Sequence, residues 1–334
     1  MRLDRSQAEA LLRRIQGRKI AVLGDLMLDE YLFGEVTRIS PEAPVPIIRV
    51  LRERMVLGGA ANVAANLKAL GAEPLLMGTL QNDAAGNRLL GLLAKLGVGA
   101  DGLVFDPARP TIIKTRVIGL QQQMLRIDRE EPGELEADSV EGLCAALDRV
   151  LDEAEALIVS DYAKGVIGEV VMDRVREGCL KRDIPWIVDP KSSHREFYHG
   201  ATLMTPNTKE LMELSGSPVR TEVEFLKAGR LLAEDLGLKG LLITRSEKGM
   251  ALIAPEAGHR EPWIIPTEAR EVYDVSGAGD TVIATFSAAV AAQADWKDAA
   301  MLANAAAGVV VGKVGTATAT PDEILERYRE QEAL

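Results

Sequence analysis

Short runs of aliphatic and β-branched residues alternate with longer runs in which apolar residues recur every three or four positions, and this alternation covers most of the chain. The first kind predicts strands at 19–24, 74–78, 156–160, 186–188, 201–204 and 240–244; the second predicts helices at 60–70, 84–96, 138–151, 169–181 and 222–236. Strands and helices in this succession imply an α/β fold built on a mostly parallel sheet. Beyond Gly249 the texture changes, with strands at 250–253 and 263–266 followed by three closing helices. At the other end, Ala8, Leu11, Leu12 and Ile15 share one helical face, and Ser6 with Glu9 has the spacing of a capping box.

Two stretches break the alternation. Tyr31 to Val50 carries Pro41, Pro44 and Pro46 among β-formers, and Thr111 to Asp128 reads as two strands around a turn at 119–123. Proline confines the first to sheet edges or extended loops. The two are expected to pair into a small separate sheet projecting from the main one; the alternative is that they are edge strands of the main sheet. With 334 residues the chain is long enough for about two domains. No linker or repeat divides it, however, and its candidate site residues run from Asp25 to Asp280. A single three-layer α/β/α domain over 1–334 with an inserted β segment fits better.

Composition narrows the function. Aromatics make up only 4% of residues, and the formal charge is -11 from 39 basic and 50 acidic residues, which argues against nucleic acid and acidic membrane surfaces as partners. Two cysteines, Cys144 and Cys179, set in separate predicted helices, and three histidines without ligand spacing leave little room for a disulfide framework, a zinc site or a histidine relay. The N-terminus is charged and lacks an apolar stretch, and no run is long enough to span a bilayer, so a cytoplasmic protein is expected. Gly97, Gly99 and Gly102 spell GxGxxG, but after a helix and before a strand, the reverse of the dinucleotide context; a P-loop is absent.

The segment 271–286, EVYDVSGAGDTVIATF, carries the most chemistry. Gly277, Ala278 and Gly279 are small residues leading into a helix, where bare N–H groups attract an anion. Asp280 beside them suits a base that meets a hydroxyl next to a phosphate; the plainer reading is a glycine turn with an acidic cap. Gly58 and Gly59 open another helix with Asn62 one turn in, a place for a polyol to approach the backbone, and Asp25 ends the first strand where α/β sheets bind ligands. Asn207 and Glu210, in PNTKE, face one way at a helix start and suit a hydrated magnesium ion, or equally an ordinary capping box. Thr244, Arg245 and Gly249 follow a further strand within reach of nucleotide phosphates.

In this order, the Asp274–Phe286 stretch with its GAGD, the Gly58, Gly59, Asn62 helix start and the Asn207 to Glu210 motif resemble the ribokinase-like sugar kinases, the phosphofructokinase B family. GDLMLDEY, RISPEAPVPI, SDYAKGV, Asp189-Pro190-Lys191, TRSEKGM and NAAAGVVVGKVGT narrow the resemblance to its heptose 7-phosphate kinases, over about Lys19 to Ile324. The resemblance implies Asp280 as catalytic base and Gly277, Ala278 and Gly279 as an anion hole. It implies sugar contacts at Asp25, Gly58, Gly59 and Asn62. For ATP and Mg2+ it implies Asn207, Thr208, Lys209 and Glu210, with Thr244, Gly249 and Asn304 along the nucleotide, and it leaves a monovalent cation as an option. It makes the inserted segments, about 31–50 and 111–128, a lid that pairs two subunits in a homodimer. A substrate already bearing a phosphate needs cations, for which Lys191, Lys164, Lys114, Arg116 and Arg126 are the candidates. Phosphorylation at C1 of D-glycero-D-manno-heptose 7-phosphate, toward ADP-heptose and lipopolysaccharide, is the implied activity. Two alternatives stay open: a kinase of another sugar, and a non-catalytic sensor of sugar or nucleotide. Thr285 departs from the Ala or Gly common in the family signature. The HxGH of a fused nucleotidyltransferase is absent, so adenylyl transfer is not expected of these residues.

Overall fold

A computed structural model describes residues 3–120, 122–131, 133–254, 259–267, 274–313 and 315–332. The first part of the chain forms α1 (Arg5–Ile15), β1 (Lys19–Gly24), β2 (Leu26–Ile39), β3 (Pro46–Gly59), α2 (Ala60–Ala69), β4 (Glu73–Leu80), α3 (Ala84–Leu96) and β5 (Gly102–Phe105). The middle forms β6 (Ile112–Gly119), β7 (Gln122–Arg129), α4 (Ala137–Leu151), β8 (Ala156–Ser160), α5 (Glu169–Arg182), β9 (Trp186–Asp189), β10 (Leu203–Met204) and α6 (Thr208–Ser215). The last part forms α7 (Glu222–Leu236), β11 (Gly240–Thr244), β12 (Met250–Ala254), β13 (His259–Ile265), α8 (Ala278–Ala291), α9 (Trp296–Val310) and α10 (Pro321–Glu332).

Nine strands make the main sheet in the order β13-β12-β11-β10-β9-β8-β1-β4-β5, parallel from β11 to β5 and antiparallel at β12 and β13. Its strands are apolar on both faces because both are covered. Ile20 and Val22 of β1 face α1, α2, α8 and α9, whereas Ala21 and Leu23 face the layer of α4, α5, α6 and α7. The first layer is packed with alanine, including Ala61 and Ala64 of α2, Ala284 and Ala288 of α8 and Ala303 and Ala306 of α9. Small side chains let these helices approach closely, which is how a core with so few aromatics fills.

The two interrupting segments do pair with each other, in a four-stranded sheet of order β3-β2-β6-β7. Its strands are longer than the sequence pattern suggests: β2 begins at Leu26, directly after β1, and β3 continues to Gly59. Pro41 and Pro44 lie in the connection between β2 and β3, and Pro46 is the first residue of β3, an edge strand, where a missing N–H costs no ladder bond. The N-terminal cap differs from expectation. Asp4 and Gln7, not Ser6 and Glu9, form the capping box, and the buried Leu3 just before it sets the earlier start. Gly97 is the left-handed C-cap of α3, a structural role consistent with its wrong context for a dinucleotide. No helix among the described residues is long and apolar enough to cross a membrane.

Candidate active site

Because β1, β8, β9, β10 and β11 run parallel, their carboxyl ends share one edge of the main sheet, and Asp25, the loop at 161–166, Asp189, Asn207 and Thr244 follow from it. The base of the four-stranded sheet stands over this edge. Period-2 alternation puts Asp29 of β2, Lys114 and Arg116 of β6, and Arg126 and Asp128 of β7 on one face, with Asp29 opposite Lys114 and Lys114 opposite Asp128 in register. Between the two sheets lies a cavity of about 340 Å3, lined by Asp29, Tyr162, Gly277, Asp280 and Thr316 together with Lys114, Arg116, Arg126, Lys164 and Lys191. All five cations expected to recognise a phosphate therefore share one cavity with Asp280.

Asp280 sits in the first turn of α8, 4% exposed, and both of its oxygens are engaged. Asn62 Nδ2 donates to Oδ2 at 2.6 Å and the Tyr162 hydroxyl to Oδ1 at 2.9 Å. Burial pushes its carboxyl up to about 6, the two hydrogen bonds pull it down, and the charge of Asp29 adds to the rise. Gly277, the N-cap, has φ +78, and a Cβ there would lie 2.8 Å from Asn62 Nδ2. Only glycine lets α8 present Asp280 to Asn62 in this way. The N–H groups of Gly277, Gly279 and Asp280 bond to no described residue, and the space beside Gly279 is open. The N–H of Ala278 is different: it closes a turn onto Val275 O at 3.2 Å. Glu271, Val272 and Tyr273 at the head of the motif lie outside the described residues.

Three of the expected sugar contacts have other work here. Asp25 is 1% exposed and accepts backbone N–H bonds from Tyr162, Lys164 and Val166, at 2.9, 3.0 and 3.2 Å, so its carboxylate is not open to two sugar hydroxyls. Burial and the neighbouring Asp161 raise it to about 6 against those three bonds. Gly58 makes room for a side chain rather than a ligand, since a Cβ would lie 2.6 Å from Asp29 Oδ2; Gly59, which lines the cavity, passes Asp25 O at φ +56. Asn62 faces Asp280, and behind it Asn66 Oδ1 accepts from Thr281, so α2 and α8 are tied at the site.

The carboxylate that does enter the cavity from this part of the chain is Asp29, which the sequence reading passed over. It pairs with Arg116, and Thr316 reaches it from beyond α9. Tyr162 and Asp189 stand in the SDYAKGV and Asp189-Pro190-Lys191 motifs but were given no role of their own. Asp189, at the end of β9, has its carboxyl pushed well above the usual range by enclosure in the cleft and then by Asp280 and Glu210, with Thr205 and Lys191 acting the other way.

The cations are already partnered, except one. Lys164 meets Glu130 at 2.6 Å, Lys114 meets Asp128 and Glu130 at 3.3 Å each, and Arg126 meets Asp128 at 2.8 Å. Lys191 lines the same cavity and forms no salt bridge with a described residue.

At the start of α6 the plainer expectation holds. Asn207 Oδ1 accepts from Lys209 N and Glu210 N, both at 2.9 Å, and Glu210 Oε2 accepts from Asn207 N, a complete capping box. Asn207 therefore does not offer its oxygen to a metal, whereas Glu210 keeps a second oxygen and lies close enough to Asp189 to raise it. Among the described residues no preformed cluster of three metal-ligating side chains occurs. Lys209 is exposed beside Glu213, and Thr208 donates to Thr244 O. Arg245 is folded onto Glu222 and the Phe225 ring. Gly249, with φ +80, is required by the backbone of Ile265 to Thr267 pressed against it, and Asn304 Nδ2 donates to Pro266 O. Thr285 is fully buried and its hydroxyl has no partner among the described residues, so its departure from the usual small residue changes local packing and buries an unsatisfied polar group.

The D-beta-D-heptose 7-phosphate kinase of Bordetella bronchiseptica is 47% identical over 311 residues, 93% of this chain and 96% of that protein. The bifunctional protein HldE of Desulfatibacillum aliphaticivorans and that of Geobacter sulfurreducens are each 44% identical, over 94% and 97% of this chain. The chain spans a little under two thirds of the length of those two relatives, 63% and 65%. Among solved structures, Escherichia coli phosphofructokinase-2 with fructose-6-phosphate superposes with a TM-score of 0.77 at 18% identity, covering 95% of this chain and all of that one. Arabidopsis thaliana ribokinase with ribose and ATP gives 0.74 at 21%, covering 94% and 99%. Residues 18–323 match the pfkB family carbohydrate kinases, a span that holds both sheets and Asp280 in its cavity, and the chain belongs to that family of ATP-dependent sugar kinases.

Proposed function

We propose that this chain transfers the γ-phosphoryl group of ATP to the C1 hydroxyl of D-glycero-D-manno-heptose 7-phosphate, giving the 1,7-bisphosphate on the way to ADP-heptose and the lipopolysaccharide inner core, in the cytoplasm. Kinases of unphosphorylated sugars have no need for the one observation that carries this reading: five cationic side chains in the cavity that holds Asp280. The name of the Bordetella relative supports the same substrate.

In the reaction Asp280 takes the proton of the sugar hydroxyl as its oxygen bonds to the γ-phosphorus and the bond to the β-phosphate oxygen breaks, releasing ADP. The open N–H groups of Gly277 and Gly279 face the charge on the moving phosphoryl. Tyr162 and Asn62 hold Asp280 ionised and aimed. A magnesium ion bound with the nucleotide would supply charge neutralisation at the transferring phosphates. Glu210 and Asp189 would hold such an ion through water, because the charge of Glu210 raises the Asp189 carboxyl and a cation beside them would offset it; Asn207, whose Oδ1 caps α6, does not fit. Lys191, Lys164 and Arg116 take the 7-phosphate, and the four-stranded sheet acts as the lid over the sugar. Leu51, Leu125 and Ile127 on that sheet are 59%, 53% and 42% exposed, which supports a homodimer formed through it.

Release of ADP measured across heptose 7-phosphate, fructose 6-phosphate, fructose and ribose tests the assignment. The heptose phosphate is expected to give the highest kcat/KM; a higher value for another sugar would replace the substrate, and no ADP with any of them would remove the activity.

A further inference from the structure

Lys191, which forms no salt bridge among the described residues, sits in a turn rather than on a strand, so something else must fix its backbone. The chain of hydrogen bonds behind it is continuous. Lys191 N–H donates to the Tyr198 hydroxyl at 2.8 Å, and that hydroxyl donates to Asp161 Oδ2 at 2.6 Å. His194 Nδ1 meets the same oxygen at 2.7 Å, and Asp161 Oδ1 accepts the N–H of Ala163 at 2.7 Å. The Tyr198 hydroxyl also lies 3.1 Å from Lys191 O, so it meets both backbone polar groups of Lys191, and the Tyr198 side chain is fully buried.

Asp161 thus joins two separate loops that reach the cavity. One is the turn after β9 with Lys191; the other is the 161–166 loop, which carries Tyr162 to Asp280 and Lys164 to the cavity. That second loop holds Ala163 at φ +54, a conformation unfavourable for a residue other than glycine, and such ties help it persist. A tyrosine whose only purpose was to fill the core would not require its hydroxyl to be both donor and acceptor between two site loops.

We propose that Tyr198, acting through Asp161, is a positioning residue that sets the place of Lys191 for the phosphate borne by the substrate. The inference rests on the reading of Lys191 as a phosphate contact. Neither Tyr198 nor Asp161 lines the cavity.

A double-mutant cycle on the full chain tests it, read as KM for the sugar phosphate with kcat and KM for ATP as controls. Lys191→Ala is expected to raise that KM about tenfold or more. Tyr198→Phe, which keeps the ring, is expected to raise it about three- to tenfold with kcat and KM for ATP within twofold, yet to add almost nothing in the Lys191→Ala background. If Lys191→Ala leaves KM unchanged, the phosphate reading falls and the inference with it. If Lys191→Ala raises KM but Tyr198→Phe does not, or does so by the same factor in both backgrounds, only the inference is overturned. Should Tyr198→Phe fail to fold, His194→Ala at the rim of the same network takes its place in the cycle, with a smaller rise of about two- to fourfold and partial recovery in His194→Asn.

Discussion

Burial alone would carry the Asp280 carboxyl far toward neutrality, and the Asn62 amide and Tyr162 hydroxyl limit the rise to about 6. A base must be ionised to accept a proton, so kcat/KM is expected to fall as pH drops through about 6, and a pH profile measures this. Tyr162→Phe removes a bond that favours the charged form and is expected to move that acidic limb upward by roughly half a unit to one unit. Stability runs the other way. The folded pKa lies above the usual 3.8, so the contribution is fully present below 3.8 and lost as pH rises through about 6. Asp280→Asn should therefore lose about two to three orders of magnitude in turnover while gaining melting temperature relative to the wild type above pH 6 and not at pH 4. Melts at the two pH values check the second part, on the order of 3 kcal/mol. Asp280 and its glycines were legible because their whole motif is local. Asp29 was not. It and Asp25 both stand in GDLMLDEY, and only strand pairing shows that Asp29, opposite Lys114, faces the cavity while Asp25 turns back under the 161–166 loop. Alternation from Met27 through Asp29 to Tyr31 was the available signal, hidden because the strand was expected to begin at Tyr31.

The start of α8 separates what a glycine does for the fold from what it does for a ligand. Alanine at Gly277 would have to hold φ +78 and push aside Asn62 and Thr316, so Gly277→Ala is expected to cost roughly 1–2 kcal/mol from the backbone alone, and to lose activity with it. Gly279 has an ordinary helical backbone and nothing within 4 Å of a Cβ. Gly279→Ala is expected to match or exceed wild-type stability, by up to about 1 kcal/mol, yet lower kcat by at least about tenfold because the methyl fills the space before the open N–H groups. Calorimetry beside kinetics distinguishes the two, and a Gly279→Ala enzyme of full activity would place the phosphoryl group elsewhere. At this scale the sequence was easiest to read where an element is bounded by chemistry. Helices 84–96 and 222–236 end at Gly97 and Gly237, both left-handed, and were placed to the residue. The first helix was misplaced at its cap because Asp4 with Gln7 and Ser6 with Glu9 have the same spacing, and the buried side chain of Leu3 decides between them.

The two sheets are made by interleaved segments of one chain, and the ion pairs at their junction decide how an anion enters between them. Glu130, just after β7, binds Lys114 of the four-stranded sheet and Lys164 of the main-sheet loop, and Asp29 and Asp128 neutralise Arg116 and Arg126 nearby. Burial opposes the charge of Glu130, but Lys164 and Lys114 outweigh it and hold its carboxyl below the usual range. A phosphate in the cavity must compete with that carboxylate for the same two ammonium groups. Glu130→Gln keeps the shape of the side chain and removes the competing charge from two half-buried ion pairs. The cavity then gains one unit of positive charge, so KM for the sugar phosphate is expected to fall a few-fold, and inorganic phosphate to inhibit at a lower concentration by a similar factor. Both gains should shrink as ionic strength rises, since they are electrostatic. If instead KM rises and phosphate inhibits less, Glu130 serves to gather Lys114 and Lys164 rather than to compete for them, and the phosphate must be held chiefly by Arg116 and Lys191.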